Sequence, residues 1–190
     1  MRPTFLALAL LVLGLHSEAL ADPPTSEKAV LAAGCFWCLE AVLEGQPGVL
    51  DAVSGYAGGA KDHPTYRDHG QHAEAVEVTF DPAQISFAAL LEVYWNSFDP
   101  TDGRGVIPDF GPSYRPILFF LNDEQKRIAE ASKAAVQKRY PAPLAVPIEK
   151  LDKFWTAEGY HQDFVKRNPE HPYVVRWSYE RMRAVGLKTP

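Results

Sequence analysis

Two cysteines, the only ones in the chain, stand at the boundary between two apolar stretches. An apolar run at residues 29–33 ends at Gly34, Cys35 and Cys38 follow, and a helix-like run covers residues 39–44. This order predicts a strand, a glycine turn and a helix with both cysteines at its first turn. A helix N-terminus carries partial positive charge and unpaired N–H groups, which lower the pKa of a thiol there. We therefore predict a nucleophilic thiol with a second thiol one helical turn away.

Three other interpretations of the cysteine pair stay open at this point. A structural disulfide would close a four-residue ring, for which the chain-entropy gain is only about 2 kcal/mol. A zinc site would need two more ligands, for which His63, His69 and His72 are available, although zinc sites rarely use this histidine spacing. The third is a pair of buried, unreactive cysteines. We favour the redox interpretation because the pattern places the sulfurs at a helix start.

Length and composition indicate one domain with a sizeable core, since 46% of the 190 residues are apolar. The net charge of -5 and the pI near 5.7 argue against a nucleic-acid-binding surface. The loop glycines do not form a phosphate-binding fingerprint, and no metal or haem motif is evident. We therefore expect no cofactor and no bound metal.

Residues 1–21 have the pattern of a secretory signal peptide. Arg2 precedes an uncharged apolar run over residues 5–15, and Ala19-Leu20-Ala21 is a small-x-small cleavage site. As a helix this run would span about 16 Å, too short for the roughly 30 Å bilayer core. We predict cleavage near Ala21, a mature domain over residues 22–190 and export to the periplasm or the medium. In an oxidising compartment, a Cys-x-x-Cys pair forms a disulfide unless a partner reduces it.

The remaining pattern alternates strands, helices and two long loops. Besides the run before Gly34, it predicts strands at residues 49–56, 74–80, 115–121 and 144–149, and helices at 86–98, 122–140 and 158–167. Residues 57–71 and 99–112 show no apolar period, and long loops in compact domains are often functional. This order predicts an α+β, ferredoxin-like two-layer sandwich with a largely antiparallel mixed sheet and long active-site loops.

Four polar residues in or beside the two loops are candidates for site chemistry. Glu74 begins a strand, where apolar surroundings would raise its pKa and make it a proton donor, although a glutamate at a strand end is more often simply exposed. Tyr66 and Tyr114 are possible hydrogen-bond donors, but isolated tyrosines usually pack with a solvated hydroxyl. Asp109 lies in a Pro/Gly-rich loop, where aspartate commonly stabilises a turn. The residues alone thus predict an exported thiol oxidoreductase of unspecified substrate.

The segment Gly34-Cys35-Phe36-Trp37-Cys38-Leu39-Glu40 resembles the Gly-Cys-Phe-Trp-Gly-x-Glu signature of the A-type peptide methionine sulfoxide reductases. Four further segments resemble motifs of that family, in family order: Val53–Gly59, Pro64–Tyr66, His72–Val76 and Gly159–Phe164. Together the motifs span about residues 28 to 173, nearly the whole predicted mature chain. Such ordered agreement is highly specific.

The resemblance implies a catalytic role for four residues. Cys35 is expected to attack the sulfur of methionine-S-sulfoxide, either free or within a protein, and Glu74 to protonate the sulfoxide oxygen. Tyr66 and Tyr114 match the tyrosines that hydrogen-bond this oxygen. The step would release methionine and leave Cys35 as a sulfenic acid.

The resemblance also implies binding residues and partners. Phe36 and Trp37 are expected to wall an apolar pocket for the S-methyl group, and Asp109 to lie in the substrate or reductant site. Oxidised proteins or free methionine sulfoxide would be the substrates, and a thioredoxin-like protein on the exported side would be the reductant. Repair of oxidative damage would be the biological purpose.

The chain departs from the family pattern at the cysteines. Cys38 stands where the signature usually has glycine, and no cysteine follows it, whereas many members carry a resolving cysteine in the C-terminal tail. Our hypothesis is that Cys38 attacks the Cys35 sulfenic acid and forms an intramolecular disulfide.

A second departure is the segment Ile107-Pro108-Asp109-Phe110-Gly111-Pro112-Ser113-Tyr114-Arg115, where the family usually has Gly-Asn-Asp-x-Gly-Thr-Gln-Tyr-Arg. It affects one wall of the expected pocket and hence the substrate range. Two rival functions are a general thiol–disulfide oxidoreductase using the Cys35–Cys38 pair and a non-catalytic module that binds oxidised peptides.

Overall fold

The computed structural model describes residues 26–190, so the predicted signal peptide lies outside the described residues. The strands are β1 (Glu27–Ala32), β2 (Val49–Ala57), β3 (Ala73–Phe80), β4 (Gly105–Val106), β5 (Asp109–Phe110), β6 (Ile117–Phe120), β7 (Ile148–Lys150) and β8 (Phe154–Thr156). The helices are α1 (Phe36–Glu44), α2 (Phe87–Asn96), α3 (Asp123–Gln137), α4 (Phe164–Arg167) and α5 (Tyr179–Ala184), the last preceded by a π-helical turn, Val174–Ser178. None of the helices between residues 26 and 190 has the length and apolar character that crossing a membrane requires.

Six strands form one sheet in the order β7-β6-β1-β3-β2-β8. All neighbouring strands are antiparallel except β6 and β7, which are parallel. The prediction of an α+β fold with a largely antiparallel mixed sheet is thereby confirmed. The short strands β4 and β5 pair separately, within the second long loop.

The two faces of the sheet are covered differently. Leu31 and Val76 belong to the face that packs with α1, α2 and α3 in the larger core cluster. Val30 and Ala75, one residue earlier in each strand, belong to the opposite face, which is covered by Phe154 and its neighbours rather than by helices. This arrangement is the two-layer sandwich expected from the order of elements.

The alternation along β3 determines where Glu74 lies. Ala73 and Ala75 belong to the face without helices, and Val76 and Val78 to the helix face. Because successive side chains of a strand point to opposite faces, Glu74 shares the helix face with Val76. The period-2 pattern of the sequence therefore places this carboxyl group toward the N-terminus of α1.

Two predicted helix starts are confirmed by their capping bonds. The Ser86 hydroxyl accepts a hydrogen bond from the Ala89 N–H at 3.2 Å, and the Asn122 side chain accepts one from the Gln125 N–H at 2.9 Å. Each side chain thus pairs one of the N–H groups that a helix leaves free at its start.

Two predictions toward the C-terminus were wrong in extent, and two elements there were not predicted. The predicted strand at 144–149 is paired only at Ile148–Lys150, and the predicted helix at 158–167 is helical only from Phe164. The strand β8 and the helical segment after residue 173 were not predicted. A three-residue strand is too short to show a period, and its pairing with the edge of β2 depends on residues about a hundred positions earlier.

Substitution of Gly55 by alanine should destabilise the protein by about 1–3 kcal/mol, the usual cost of overpacking. A Cβ atom there would lie 2.3 Å from Cζ of Phe154 and 2.4 Å from the carbonyl oxygen of Trp155, so β8 would have to move off β2. Urea unfolding of the variant measures this loss. Gly159→Ala is the matched control, because nothing lies within 4 Å of its added Cβ. Equal stabilities of the two variants would contradict the prediction.

Candidate active site

The turn between β1 and α1 requires glycine. Gly34 has φ +68°, a left-handed conformation, and a Cβ there would lie 2.6 Å from Cβ of Val106. The Gly34 N–H donates to the carbonyl of Tyr114 at 3.1 Å, which joins the turn to the second long loop. The turn therefore fixes Cys35 against residues 106–114.

Both cysteines are buried free thiols at the start of α1. Cys35 is the N-cap residue and Cys38 is the third residue of the helix. The backbone N–H groups of Cys38 and Leu39 both donate to the Cys35 carbonyl, at 3.2 and 3.3 Å. The chain therefore turns as the spacing predicted, with one thiol a helical turn from the other.

The two thiols differ in charge. A hydrogen bond from Cys35, followed by the positive charge of Arg181 and a hydrogen bond with Ser178, outweighs burial and lowers the pKa of Cys38 to about 6. Burial, together with the adjacent Cys38 and Glu74, raises the pKa of Cys35 well above the ordinary thiol value. At neutral pH these opposite shifts favour a pair with one proton, with Cys38 as the more acidic thiol.

Glu74 is buried at the mouth of β3, with 2% of its surface exposed. Its Oε2 accepts a hydrogen bond of 2.9 Å from the backbone N–H of Phe36, the residue after Cys35. Burial is the main cause that raises the pKa of this carboxyl to about 8, with Asp109 and Cys38 adding to it. Glu74 is therefore not an exposed strand-end residue, so that alternative is wrong. At neutral pH its carboxyl is mostly protonated.

Tyr66 and Tyr114 lie at the same place from opposite loops. Burial raises the pKa of both phenols, and the nearby charges of Glu74 and Cys35 raise them further. The Tyr66 backbone N–H donates to Glu158 at 2.9 Å, so this glutamate holds the first loop in place. Both tyrosines are neutral hydrogen-bond donors in the physiological pH range.

An aromatic cluster stands next to Cys35. Phe36 is buried, and its ring lies 4.9 Å from the ring of His161. Trp37 stacks on Phe164 with 3.6 Å between ring centroids and 7° between the planes, and its indole N–H donates to Nδ1 of His161 at 3.0 Å. These contacts fix the two aromatic side chains in single orientations, as an apolar binding wall requires.

Asp109 is held by a residue that the sequence analysis did not select. It is half-buried in β5 and accepts a hydrogen bond from the hydroxyl of Tyr173. The Tyr173 ring in turn meets Trp37 edge-on, with centroids 6.0 Å apart. Asp109 thus joins the second loop to the aromatic cluster, and burial raises its pKa.

The second loop, whose sequence departs from the family pattern, is ordered by these contacts and by the β4–β5 pairing. Beside it lies a groove of about 370 Å³ between the loop and α5. Its lining includes the exposed side chains of Ile107 and Phe110, with Val106, Trp177 and Arg181 further inside. The departure therefore shapes a groove whose lining includes neither cysteine, while Asp109 stays bonded to Tyr173 and the Tyr114 carbonyl to Gly34.

The three histidines considered as zinc ligands have other partners. His69 stacks on Tyr56 at 5.3 Å and bonds to Ser113, and His72 accepts from the Gly59 N–H at 3.1 Å. His63 packs on the ring of Trp155. Among residues 26–190, no group of three or more histidine, cysteine or carboxylate side chains is placed to hold a metal ion.

Four further site residues were missed by reasoning from single residues: His161, Tyr173, Ser178 and Arg181. His161 lies within one of the recognised motifs, so its position was available as a signal. The other three belong to the C-terminal segment, where no local pattern distinguishes them from ordinary surface or core residues.

The sequence matches a known protein family over nearly all of the described residues. The family described as peptide methionine sulfoxide reductase matches residues 27–187. The peptide methionine sulfoxide reductase MsrA of Listeria welshimeri is 48% identical over 151 residues, which cover 76% of this chain and 85% of that relative.

Two solved structures of methionine sulfoxide reductases or their relatives have a similar fold. Mxr1 from Saccharomyces cerevisiae in its reduced form is similar with a TM-score of 0.72 and 31% identity, covering 78% of this chain and 89% of the yeast chain. Methionine sulfoxide reductase A of Corynebacterium diphtheriae is similar with a TM-score of 0.68 and 27% identity, covering 78% and 77% of the two chains.

Proposed function

The chain belongs to the peptide methionine sulfoxide reductase family, and from that membership we propose that Cys35, Cys38 and Glu74 together reduce methionine-S-sulfoxide, free or in proteins. The observation that carries this proposal is the hydrogen bond of 2.9 Å between Glu74 and the Phe36 N–H, which brings a buried acid to the reactive thiol. Family membership favours this function over the general thiol–disulfide oxidoreductase and the binding module.

The first step transfers the sulfoxide oxygen to Cys35. The Cys35 proton passes to the Cys38 thiolate as the Cys35 sulfur attacks the sulfoxide sulfur, and Glu74 gives its proton to the oxygen. The sulfur–oxygen bond of the substrate then breaks, so that methionine leaves and Cys35 keeps the hydroxyl group as a sulfenic acid. Tyr66 and Tyr114 donate hydrogen bonds to the oxygen during this step.

The second step forms a disulfide. The Cys38 sulfur attacks the sulfenic sulfur, the S–O bond breaks, and hydroxide leaves with the Cys38 proton as water. The two protons of this water are those that Cys35 and Glu74 held at the start, so no outside acid is needed. Sulfur is oxidised at both cysteines, and the substrate sulfur is reduced by two electrons.

The substrate side chain is bound by the aromatic cluster. Phe36 and Trp37 offer an apolar wall to the S-methyl group, which is favourable because methyl burial releases ordered water. Asp109, fixed by Tyr173, borders the same place and is available to a backbone N–H of a peptide substrate.

Recycling requires a dithiol that reduces the Cys35–Cys38 disulfide by exchange, and we assign this to a thioredoxin-like protein. The yeast relative Mxr1 has been solved in complex with Trx2. Residues 1–21 support export of this chain, so the reductant would act in the periplasm or outside the cell. Repair of oxidised proteins in that compartment would then be the purpose of the enzyme.

Methionine release should depend on pH with a bell-shaped profile. Below about pH 6 the cysteine pair is fully protonated, and above about pH 8 Glu74 has lost the proton it must donate, so the rate falls on both sides.

Glu74→Gln should slow release by about 10²–10⁴-fold and remove the alkaline limb. Single-turnover assays across pH measure this. Glu77→Gln, which changes a partly exposed carboxyl on the opposite face of β3, is the control and should keep the wild-type profile. An unchanged alkaline limb in Glu74→Gln would refute the role of Glu74 as proton donor.

Cys38→Ser should still complete one round of reduction of the S epimer, but more slowly because the thiolate that accepts the Cys35 proton is lost, and it should lose recycling. Without Cys38 the sulfenic acid persists, so intact mass after reaction without reductant should show a gain of one oxygen. The wild-type protein should instead lose two hydrogens and leave the R epimer untouched. Normal turnover of Cys38→Ser with a thioredoxin-type reductant would exclude the resolving role.

The exported protein should begin at or near Asp22. Expression of the full chain, followed by fractionation and N-terminal mass analysis, tests this directly. Arg2→Glu combined with a charge placed in the apolar run at residues 5–15 should abolish processing, because both features of the signal are lost. Recovery of the uncleaved chain with the cytoplasm in the wild type would overturn the export proposal.

A further inference from the structure

The C-terminal segment supplies most of the polar surroundings of Cys38. Ser178, at the end of the π-helical turn, is fully buried, and its Oγ lies 3.1 Å from the Cys38 sulfur. The hydroxyl of Tyr173 lies 3.8 Å from the same sulfur. These two residues come from a part of the chain about 140 positions after Cys38.

The hydroxyls of Tyr173 and Ser178 differ in whether their hydrogen is available to Cys38. A phenol has one hydrogen, and that of Tyr173 goes to Asp109. The Tyr173 hydrogen is therefore committed to Asp109, and the Tyr173 oxygen can accept from Cys38 only while Cys38 is a thiol. The only hydrogen bond of the Ser178 hydroxyl within the described residues is with Cys38, so its hydrogen is free to point at the sulfur. Ser178 is thus suited to stabilise a negative charge on Cys38, and Tyr173 is not.

Arg181 lies one turn after Ser178 and anchors the same face. The guanidinium is buried and donates to the carbonyl of Ala33 at 2.9 Å and to the carbonyl and hydroxyl of Ser97 at 3.0 and 3.3 Å. All of these partners are neutral, and in residues 26–190 no ion pair involves Arg181. A buried cation is costly unless an anion lies nearby, and the charge of Arg181 acts on both Asp109 and Cys38.

The anchoring also fixes the reactive turn. Ala33 is two residues before Cys35, and its carbonyl is held by Arg181, whereas Cys38 on the other side of the turn is held by Ser178. The continuous helical segment formed by the π-helical turn and α5 therefore contacts the chain on both sides of Cys35.

We propose that Ser178 and Arg181 are positioning residues that hold Cys38 in its thiolate form, facing Cys35. The use of this thiolate in catalysis rests on the proposed function; the thiolate itself does not. The other groups that face Cys38 are Cys35, Glu74 and the Tyr173–Asp109 pair. Of these, Glu74 is mostly protonated near pH 7, and the positive charge of Arg181 acts on Asp109 as well as on Cys38.

The test isolates Cys38 as the single thiol. In the Cys35→Ser protein, thiolate absorbance in the far ultraviolet is followed across pH, which reports the ionisation of Cys38 alone. Adding Ser178→Ala should move the midpoint upward by about one pH unit, the usual worth of one hydrogen bond to a charged group. Ser178→Thr, which restores a hydroxyl, should return the midpoint toward its starting value.

Ser54→Ala is the matched control. Ser54 is also fully buried, but its hydroxyl has no hydrogen-bond partner in the described residues, so its loss tests general effects of removing a buried hydroxyl.

Arg181→Gln and Arg181→Lys form a second pair of variants, because glutamine keeps a donor without the charge and lysine keeps the charge. The midpoint should rise more in the glutamine variant than in the lysine variant.

The outcomes separate this proposal from the proposed function. A shift in Ser178→Ala that is absent in Ser54→Ala supports it, and in the protein with both cysteines the acidic limb of methionine release should shift equally. An unmoved midpoint, or equal shifts in both serine variants, would overturn it even if the Arg181 variants fail to fold. Absence of a disulfide in the oxidised wild-type protein would instead remove the resolving role of Cys38, whatever the titration shows.

Discussion

The hydrogen bond between the Phe36 N–H and Glu74 is the contact on which the site depends, because it joins the start of α1 to the start of β3. The bond uses an N–H that the helix leaves free, and it brings the acid within reach of the residue before it, Cys35. The sheet provides the other half of this geometry, since the period of β3 directs Glu74 toward the helices. A shift of one residue in strand register would turn the carboxyl to the opposite face.

The charges around this contact keep Glu74 protonated and favour ionisation of Cys38 over the same pH range. Glu74 keeps its proton because it is buried without a cation, whereas Cys38 loses its proton because Cys35, Ser178 and Arg181 favour the charged form. In water at neutral pH the carboxyl would be ionised and the thiol protonated, so the protein reverses the usual order of the two groups.

The same interactions explain why the fold needs its loops and its C-terminal segment. Tyr66 belongs to the first long loop and Tyr114 follows the second, and Glu158 and Gly34 hold these segments through backbone bonds. The helices after residue 173 close the side of Cys38. The sheet alone would leave both thiols exposed to water, where neither pKa would depart far from its ordinary value.

The sequence by itself determined the features that depend on neighbouring residues: the glycine turn, the helix start at the cysteines, the caps at Ser86 and Asn122, and the side of β3 that carries Glu74. These follow from local sterics and from short periods, which the chain expresses within a few residues. Only the tertiary structure decided which thiol carries the charge, how β8 pairs, and that Ser178 and Arg181 reach the reactive turn. Those outcomes depend on contacts between residues more than a hundred positions apart, and burial at such contacts leaves no local pattern in the sequence.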